Sequence, residues 1–316
     1  MDARVVIAYD GSSSADAALR AAASLFRGAR AYVVTVPPPL EAGVDAVQAR
    51  APMLPRAAVQ QTIDGLVTDT QRQAGETAEA GVERARANGL DAESRIPAAR
   101  APEWSALLGT ADDLAADVLV CGTRGRSGFA RALLGSTSSS LLHHTHLPLL
   151  IVPDGGGQLD GPAVIAYDGS HGARQAIEAA GRLLGARNTL VVHAWEGEFR
   201  RALAARALAA GPVDELREII GILQAMETEG AEAVTEEGVR LARSAGLDAT
   251  GQPLESASGA WRTIASAART HEAAVVVVGS RGLGGARSAL LGSVSSGLVH
   301  NAEAPVLVVP EAARDS

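Results

Sequence analysis

The sequence contains no lysine, and this absence excludes several kinds of enzyme. All 28 basic residues are arginine. A Walker A loop, a Schiff-base or pyridoxal phosphate site and a protein-kinase site each need a lysine, so none of them can be built here. The 36 acidic residues bring the net charge to −8, which argues against a general nucleic-acid binder and against a protein of anionic membranes.

Cysteine, aromatic residues and long apolar runs are also scarce. The one cysteine, Cys121, cannot form an intramolecular disulfide or a multi-thiol zinc site, and we interpret it as a small buried strand residue. With three Trp, three Tyr and three Phe, the core must be aliphatic. No apolar run approaches the roughly 20 residues of a membrane span, and no signal peptide is indicated. We therefore expect a cytoplasmic protein.

The sequence contains the same module twice. The segment VIAYDGS at 6–12 recurs at 164–170, and PLLIVP at 148–153 recurs as PVLVVP at 305–310. The offsets are 158 and 157 residues, which indicates a tandem duplication. We predict one domain at residues 1–153, a glycine-rich linker at 154–161 and a second domain at 162–316.

Within each copy, short aliphatic runs alternate with longer alanine-rich stretches, as is typical of βαβ units with a parallel sheet. The sequence therefore predicts an α/β fold with two tandem doubly wound parallel-sheet domains. The predicted strands are 5–9, 31–36, 91–96, 118–121 and 149–152, then 163–167, 189–194, 248–252, 275–278 and 306–309. The predicted helices of the first copy are 13–26, 70–88, 102–115 and 136–144.

Unusual residues follow the first and fourth strands. Asp10 ends the first strand, while Gly122 and Gly125 follow the fourth, and Gly135-Ser136 comes after nine further residues. Ligands of doubly wound sheets bind beyond the carboxyl ends of the strands. Glycine leaves backbone N–H groups open to an anion, and a helix N-terminus favours phosphate. An ordinary turn with an N-cap has the same composition, but the spacing recurs in the second copy, which favours a phosphate site.

At these residues both copies resemble the universal stress protein family, whose nucleotide-binding members carry G-2x-G-9x-G-(S/T) after strand four. The resemblance covers about residues 4–152 and 162–310. It implies an adenine nucleotide α-hydrolase-like fold with strand order 3-2-1-4-5, in which strands one and four are neighbours. The switch in strand order then lies beside Asp10 and Gly122.

Carried over by position, the resemblance implies ATP, with Mg²⁺, as the ligand and assigns no catalytic residue. It places Asp10 and Asp168 at the adenosine end and Val36 and Ala194 against the adenine. The residues implied for the phosphates are Gly122, Gly125, Gly135, Ser136 and Ser138, and in the second copy Gly279, Gly282, Gly292, Ser293 and Ser295. The family often has valine where Thr137 stands, but that position would contribute its backbone N–H.

Two further groups of residues are less specific. Histidines cluster at 143–146 and could suggest a metal, but the second copy keeps only His300, and the C-terminus of a helix favours imidazoles in any case. Arg124 and Arg281 precede the second glycine of the motif and either contact phosphate or are solvated.

Three functions stay open at this point. The first is an ATP-binding tandem universal stress protein with a regulatory or protective role in the stress response. The second is a slow ATP-hydrolysing or nucleotidyl-transferring enzyme of the same fold, although no general base is paired with a second substrate site. The third is a nucleotide-free interaction module that keeps the glycines only as turns.

Partners are predicted from the sheet edges. The strands at 149–152 and 306–309 would leave apolar edges exposed, so we expect them to pair as an intrachain pseudo-dimer. A homodimer of two chains is left open. Neither a nucleic acid nor a membrane is expected as a partner.

Overall fold

A computed structural model describes residues 3–38, 56–98, 102–125, 134–197, 203, 214–282 and 291–311. The chain divides into two compact units, residues 1–156 and 157–316. Each unit is an α/β domain built on a parallel sheet, which confirms the predicted fold class. None of the described helices is long and apolar enough to cross a membrane.

The first unit has strand order β3-β2-β1-β4-β5, and all neighbouring strands are parallel. Its strands are β1 (Arg4–Ala8), β2 (Arg30–Val34), β3 (Asp91–Arg95), β4 (Val118–Gly122) and β5 (Leu149–Val152). Its described helices are α1 (Ser13–Leu25), α2 (Arg56–Ala87), α3 (Glu103–Asp113) and α4 (Ser136–His144). The predicted switch in strand order between strands one and four is therefore confirmed.

The second unit repeats this arrangement with the order β8-β7-β6-β9-β10, again parallel throughout. Its strands are β6 (Ala163–Ala166), β7 (Asn188–Trp195), β8 (Asp248–Glu255), β9 (Val275–Gly279) and β10 (Val306–Val309). Its described helices are α5 (His171–Leu184), α6 (Asp214–Ser244), α7 (Ala260–Thr270) and α8 (Ser293–Asn301). Strands β7 and β8 run past the predicted ends, since each has eight residues.

Aliphatic side chains fill the centre of each sheet on both faces. In β1 and β4 the residues Val5–Ile7 and Val118–Val120 are fully buried, as expected where helices cover both sides of parallel strands. Cys121 is buried in β4, as its sequence context predicts. Burial raises the pKa of its thiol to about 12.

Helix α2 is longer than the sequence predicts, because it begins at Arg56 rather than at Thr70. Apolar residues of the added stretch, such as Ile63 and Leu66, recur at helical spacing but are only half-buried or exposed. The buried residues Ala74, Ala78, Val82 and Ala85 all lie in the later half of the helix. The later half of the helix therefore packs on the sheet, whereas the added stretch has apolar residues at helical spacing without burying them.

A buried tyrosine follows the first strand of each unit. The Tyr9 hydroxyl donates to Asp16 of α1 (2.7 Å) and accepts from Arg84 of α2 (2.6 Å). Burial, reinforced by Asp16, raises the pKa of Tyr9 to about 12. Gly81 of α2 lies against the ring, since a Cβ there would come within 2.7 Å of the Tyr9 Cδ1 atom.

The equivalent tyrosine of the second unit, Tyr167, has neighbours of reversed charge. Arg174 now comes from the first helix and Glu237 from the long helix, and the two form an ion pair of 2.9 Å. Burial is the main reason why the pKa of Tyr167 is raised. Both units thus have the tyrosine with an ion pair beside it, but the charges are reversed. In the first unit the first helix supplies the acidic residue and the long helix the arginine, and in the second unit it is the other way round.

Candidate functional site

The carboxyl ends of β1 and β4 meet where the sequence places the site. Asp10 follows β1, and its Oδ1 accepts a hydrogen bond from the Ser12 N–H at 2.9 Å. Gly11 makes the turn between them with φ of +81°, a conformation that favours glycine. The other oxygen, Oδ2, lies against the loop after β4, because a Cβ on Gly125 would be 2.9 Å from it.

The second unit repeats this contact. Asp168 Oδ1 accepts from the Ser170 N–H at 3.0 Å. A Cβ on Gly282 would be 2.6 Å from Asp168 Oδ2. The second glycine of the motif therefore allows the loop to lie directly on the aspartate, and in both units any larger residue would displace one of them.

The first glycine of the motif has a packing reason of its own. A Cβ on Gly122 would be 2.8 Å from the backbone oxygen of Ser14 in α1. A Cβ on Gly279 would be 2.7 Å from the carbonyl carbon and oxygen of Gly172 in α5. Close contact between strand and helix requires glycine at these two positions whether or not a ligand binds.

In the turn before α4, two groups lie within hydrogen-bond distance of the same carbonyl oxygen. The Gly135 N–H donates to the Thr123 oxygen at 2.7 Å. The Ser138 hydroxyl lies 3.1 Å from that same oxygen and 3.1 Å from the Gly135 oxygen. These contacts tie the start of the helix to the end of β4.

The turn before α8 has the same contacts at nearly the same distances. The Gly292 N–H donates to the Ser280 oxygen at 2.7 Å. The Ser295 hydroxyl lies 3.1 Å from the Ser280 oxygen and 3.0 Å from the Gly292 oxygen. The geometry of the turn is therefore a property of both units.

These contacts change the interpretation of the serines. Ser138 and Ser295 are 4% and 1% exposed, and a hydroxyl has one proton to donate. That proton is directed at carbonyls of the turn, so these serines position the backbone rather than donating to a ligand in this conformation. Ser136 and Ser293, at the first position of each helix, are exposed.

The N-termini of α4 and α8 have no side-chain cap. Their N-cap residues, Gly135 and Gly292, have no side chain that could accept a hydrogen bond from the N–H groups of the first turn. By contrast, α1 and α5 are capped by the hydroxyls of Ser12 and Ser170. The first turns of α4 and α8 therefore present N–H groups and the positive end of the helix dipole, which attract anions.

Asp154 is a site residue that the sequence analysis placed in the linker. Its Oδ2 accepts from Arg124 at 2.7 Å, and its Oδ1 accepts from the hydroxyls of Ser14 (3.0 Å) and Thr123 (3.2 Å). These contacts hold the loop after β4 against α1. The Arg124 side chain thus forms an ion pair within its own unit instead of extending freely into solvent.

In the second unit Glu311 takes the place of Asp154, as the 157-residue offset of the repeat could have indicated. It lies 3.9 Å from Arg281, and its backbone N–H donates to the Ser280 hydroxyl at 3.1 Å. The charged atoms of this ion pair lie farther apart than those of Arg124 and Asp154. A backbone hydrogen bond to the Ser280 hydroxyl stands in place of the two hydroxyl contacts that Asp154 makes.

Val36 and Ala194 lie near the ends of the second strands, as the sequence predicts. Val36 is half-buried two residues beyond β2, and Ala194 is half-buried near the end of β7. The residues before them tie these ends to the first strand, since the Thr35 hydroxyl donates to the Tyr9 oxygen at 2.8 Å and His193 Nδ1 lies 2.9 Å from the Tyr167 oxygen.

A cavity of about 320 Å³ opens beside β1 in the first unit. Among the described residues its lining comes from the end of β1, the turn after it and α2. The lining residues are Tyr9, Gly11, Gln73, Glu76, Thr77, Ala80 and Arg84. Its volume is within the range of small-ligand pockets.

Two of the three histidines at and just after the end of α4, His144 and His146, have partners within the fold. His144 stacks on Trp104 at 4.2 Å between ring centroids, and its Nδ1 lies 2.7 Å from the Ser140 oxygen. His146 lies 2.8 Å from Asp112. Within the described ranges, no three His, Cys, Asp or Glu side chains come together as a metal site.

Residues 1–153 and 162–310 each match the model of the Universal stress protein family. The chain belongs to this family. It is 31% identical over 207 residues to a universal stress protein of Mycolicibacterium smegmatis, which covers 61% of this chain and 62% of that relative. A universal stress protein of Mycobacterium tuberculosis is 31% identical over 201 residues, which cover 60% and 58% of the two chains. The match thus spans about three fifths of the length of these curated relatives.

The fold is also that of a solved universal stress protein. The crystal structure of a universal stress protein from Archaeoglobus fulgidus aligns over 98% of both chains with a TM-score of 0.64 and 19% identity. These comparisons confirm the family resemblance and the tandem arrangement of two universal stress protein domains.

Proposed function

We propose that this universal stress protein binds ATP at both turns and acts in the cytoplasm as a regulatory or protective protein. The observation that carries the proposal is the repeated turn. In both units an aspartate lies against the second glycine of the motif, a backbone hydrogen bond joins the end of the fourth strand to the start of the next helix, and that helix has no side-chain N-cap. The distances match between the two units. Side chains around the two turns differ, whereas the backbone arrangement that suits an anion is kept.

In this proposal the ligand lies across the ends of the first and fourth strands. The adenosine end faces Asp10 or Asp168, because a carboxylate repels the triphosphate. The phosphates accept from the free N–H groups at the start of α4 or α8 and from the hydroxyl of Ser136 or Ser293.

The residues present fit Mg²⁺ as part of the nucleotide rather than as a resident ion. In the part of the chain that the structure describes, no three or more acidic, histidine or cysteine side chains are placed so that they could hold a metal ion. Mg²⁺ keeps several waters and commonly binds through substrate phosphates. The ion would neutralise phosphate charge and would be held mainly by the nucleotide and water.

The nucleotide content of the purified protein tests the proposal. The protein is denatured and its nucleotides are separated by chromatography; a second sample is stripped of ligand and titrated with ATP and Mg²⁺ in a calorimeter. We expect bound ATP and two sites per chain. ADP that accumulates during incubation supports the slow enzyme instead, and no nucleotide in either sample supports the interaction module.

A serine pair on α4 provides a matched comparison. Ser136→Ala removes an exposed hydroxyl at the start of the helix and should weaken ATP binding at the first site by about 1 kcal/mol, roughly fivefold. Ser140→Ala, one turn later on the same helix, should leave the affinity unchanged. Equal effects of the two variants would contradict the assignment of phosphate to the helix N-terminus.

A further inference from the structure

A carboxylate lies at the first turn of α4. Thr137, the second residue of α4, donates its hydroxyl to Oε2 of Glu103. Glu103 is the first residue of α3 and the acidic residue of that helix's first turn. The preceding helix thus brings a negative charge to the N-terminus that would bind phosphate.

In the second unit, the residues that the structure describes form no such contact. The equivalent positions, at the 157-residue offset, are Ala260 and Val294, neither of which has a polar side chain. The first turn of α7 contains no acidic residue. It carries Arg262 instead, whose guanidinium stacks on Trp261 and donates to the Ser258 oxygen at 2.8 Å.

Among the described residues of the motif loops, three other charged positions of the two turns are matched. Asp10 corresponds to Asp168, Arg124 to Arg281, and Asp154 to Glu311, with each arginine close to its carboxylate. Among the described residues at the two turns, Glu103 is therefore an additional negative charge of the first unit. A carboxylate at a helix N-terminus interacts favourably with the dipole and opposes a second anion there.

We propose that Glu103, held by Thr137, makes the two nucleotide sites unequal by reducing affinity for highly charged phosphate chains at the first site. The second site then prefers ATP, and the first discriminates less between ATP and a nucleoside monophosphate such as AMP. This inference rests on the proposed function, since it concerns ligands of the same two turns.

The experiment measures each site alone and then exchanges the two residues between units. Gly282→Val silences the second site and Gly125→Val the first. In the first-site protein, Glu103→Gln or the pair Glu103→Ala and Thr137→Val is added; in the second-site protein, Ala260→Glu and Val294→Thr are added. Calorimetric titrations with ATP and with AMP are run with EDTA and repeated with Mg²⁺.

We expect the first site to bind ATP about fivefold more weakly than the second in EDTA. Removing the Glu103 charge should close most of this gap, and introducing it at position 260 should weaken the second site by about the same factor. AMP should change by less than about twofold, because it carries fewer charges. A merely structural role of Glu103 would alter ATP and AMP binding alike.

Three results would overturn the inference. Equal ATP affinities of the two sites, unchanged by Glu103→Gln, would show that the charge does not matter. Weaker ATP binding by Glu103→Gln that appears only with Mg²⁺ would make Glu103 a metal ligand. Finally, a stripped parent protein that binds neither ATP nor AMP would overturn the proposed function together with this inference.

Discussion

Replacing Gly282 with valine puts a branched side chain where the loop after β9 lies on Asp168. The added Cβ would be 2.6 Å from Asp168 Oδ2, which is too close for two atoms that are not bonded. Either the carboxylate or the loop must move. The position is exposed, so the strain can relax locally, and we expect a loss of about 1–2 kcal/mol in the free energy of unfolding.

The effect on ATP binding should be much larger. A displaced loop or a side chain in the turn would remove about two hydrogen bonds between backbone N–H groups and phosphate. Each bond to a charged group contributes about 1.5–3 kcal/mol, so the expected loss is about 3–6 kcal/mol, or roughly 10²- to 10⁴-fold in affinity. Gly125→Val should do the same at the first site, where the Cβ would be 2.9 Å from Asp10 Oδ2.

Calorimetric titration of the two single variants and the double variant with ATP measures this loss, and urea unfolding measures stability. Each single variant should retain one site and the double variant none. Gly109→Val is the control, because Gly109 lies on α3 with open space around its Cβ position. A folded double variant that binds ATP within about threefold of the parent would refute the reasoning.

Three further predictions concern stability and reactivity. On α2, Gly75→Ala should raise the free energy of unfolding by about 0.5–1 kcal/mol, because its Cβ meets open space, whereas Gly81→Ala should lower it by about 1–3 kcal/mol against the Tyr9 ring; urea unfolding of the two variants tests the pair. Cys121, with a thiol pKa of about 12, should resist a thiol reagent at pH 8, where about one thiol in 10⁴ would be ionised, and should react once urea unfolds the chain; rapid labelling of the native protein would contradict this. The pKa of Tyr9 is raised to about 12 from about 10 in the unfolded chain, so it contributes stability that is fully present below pH 10 and is lost as the pH rises through 12. Tyr9→Phe should flatten this part of the pH profile of stability, measured by urea unfolding. An unchanged slope would show that Tyr9 does not cause the loss of stability.

Both sheets were predictable because their central strands are aliphatic on both faces and recur at a constant offset. The same reasoning missed the first fourteen residues of α2, from Arg56 to Asp69. Helical periodicity reveals a helix mainly where one side of it is buried, and this stretch has little buried surface. Helix boundaries that depend on propensity alone are therefore the part of the fold that the sequence leaves open.

At the site, the position of the turns was predictable but the direction of individual side chains was not. Parallel strand order brings Asp10 and Gly125 to one edge, which follows from topology. Whether Ser138 faces a ligand or its own turn depends on backbone dihedrals that the motif does not specify. Glu103 could not have been placed from the motif, because it comes from a different helix that packs beside α4.

The reversed ion pairs beside Tyr9 and Tyr167 have a consequence for how a duplicated chain reaches its native state. Two similar modules on one chain can exchange helices while they fold, giving hybrid domains of nearly native form. A hybrid that joined α1 to α6 would bring Asp16 next to Glu237, and its complement would bring Arg174 next to Arg84. Each would place like charges beside a tyrosine, where the native, partly exposed pairs have their charged atoms 3.5 Å and 2.9 Å apart. We expect the reversed charges to disfavour such an exchange of helices between the two halves.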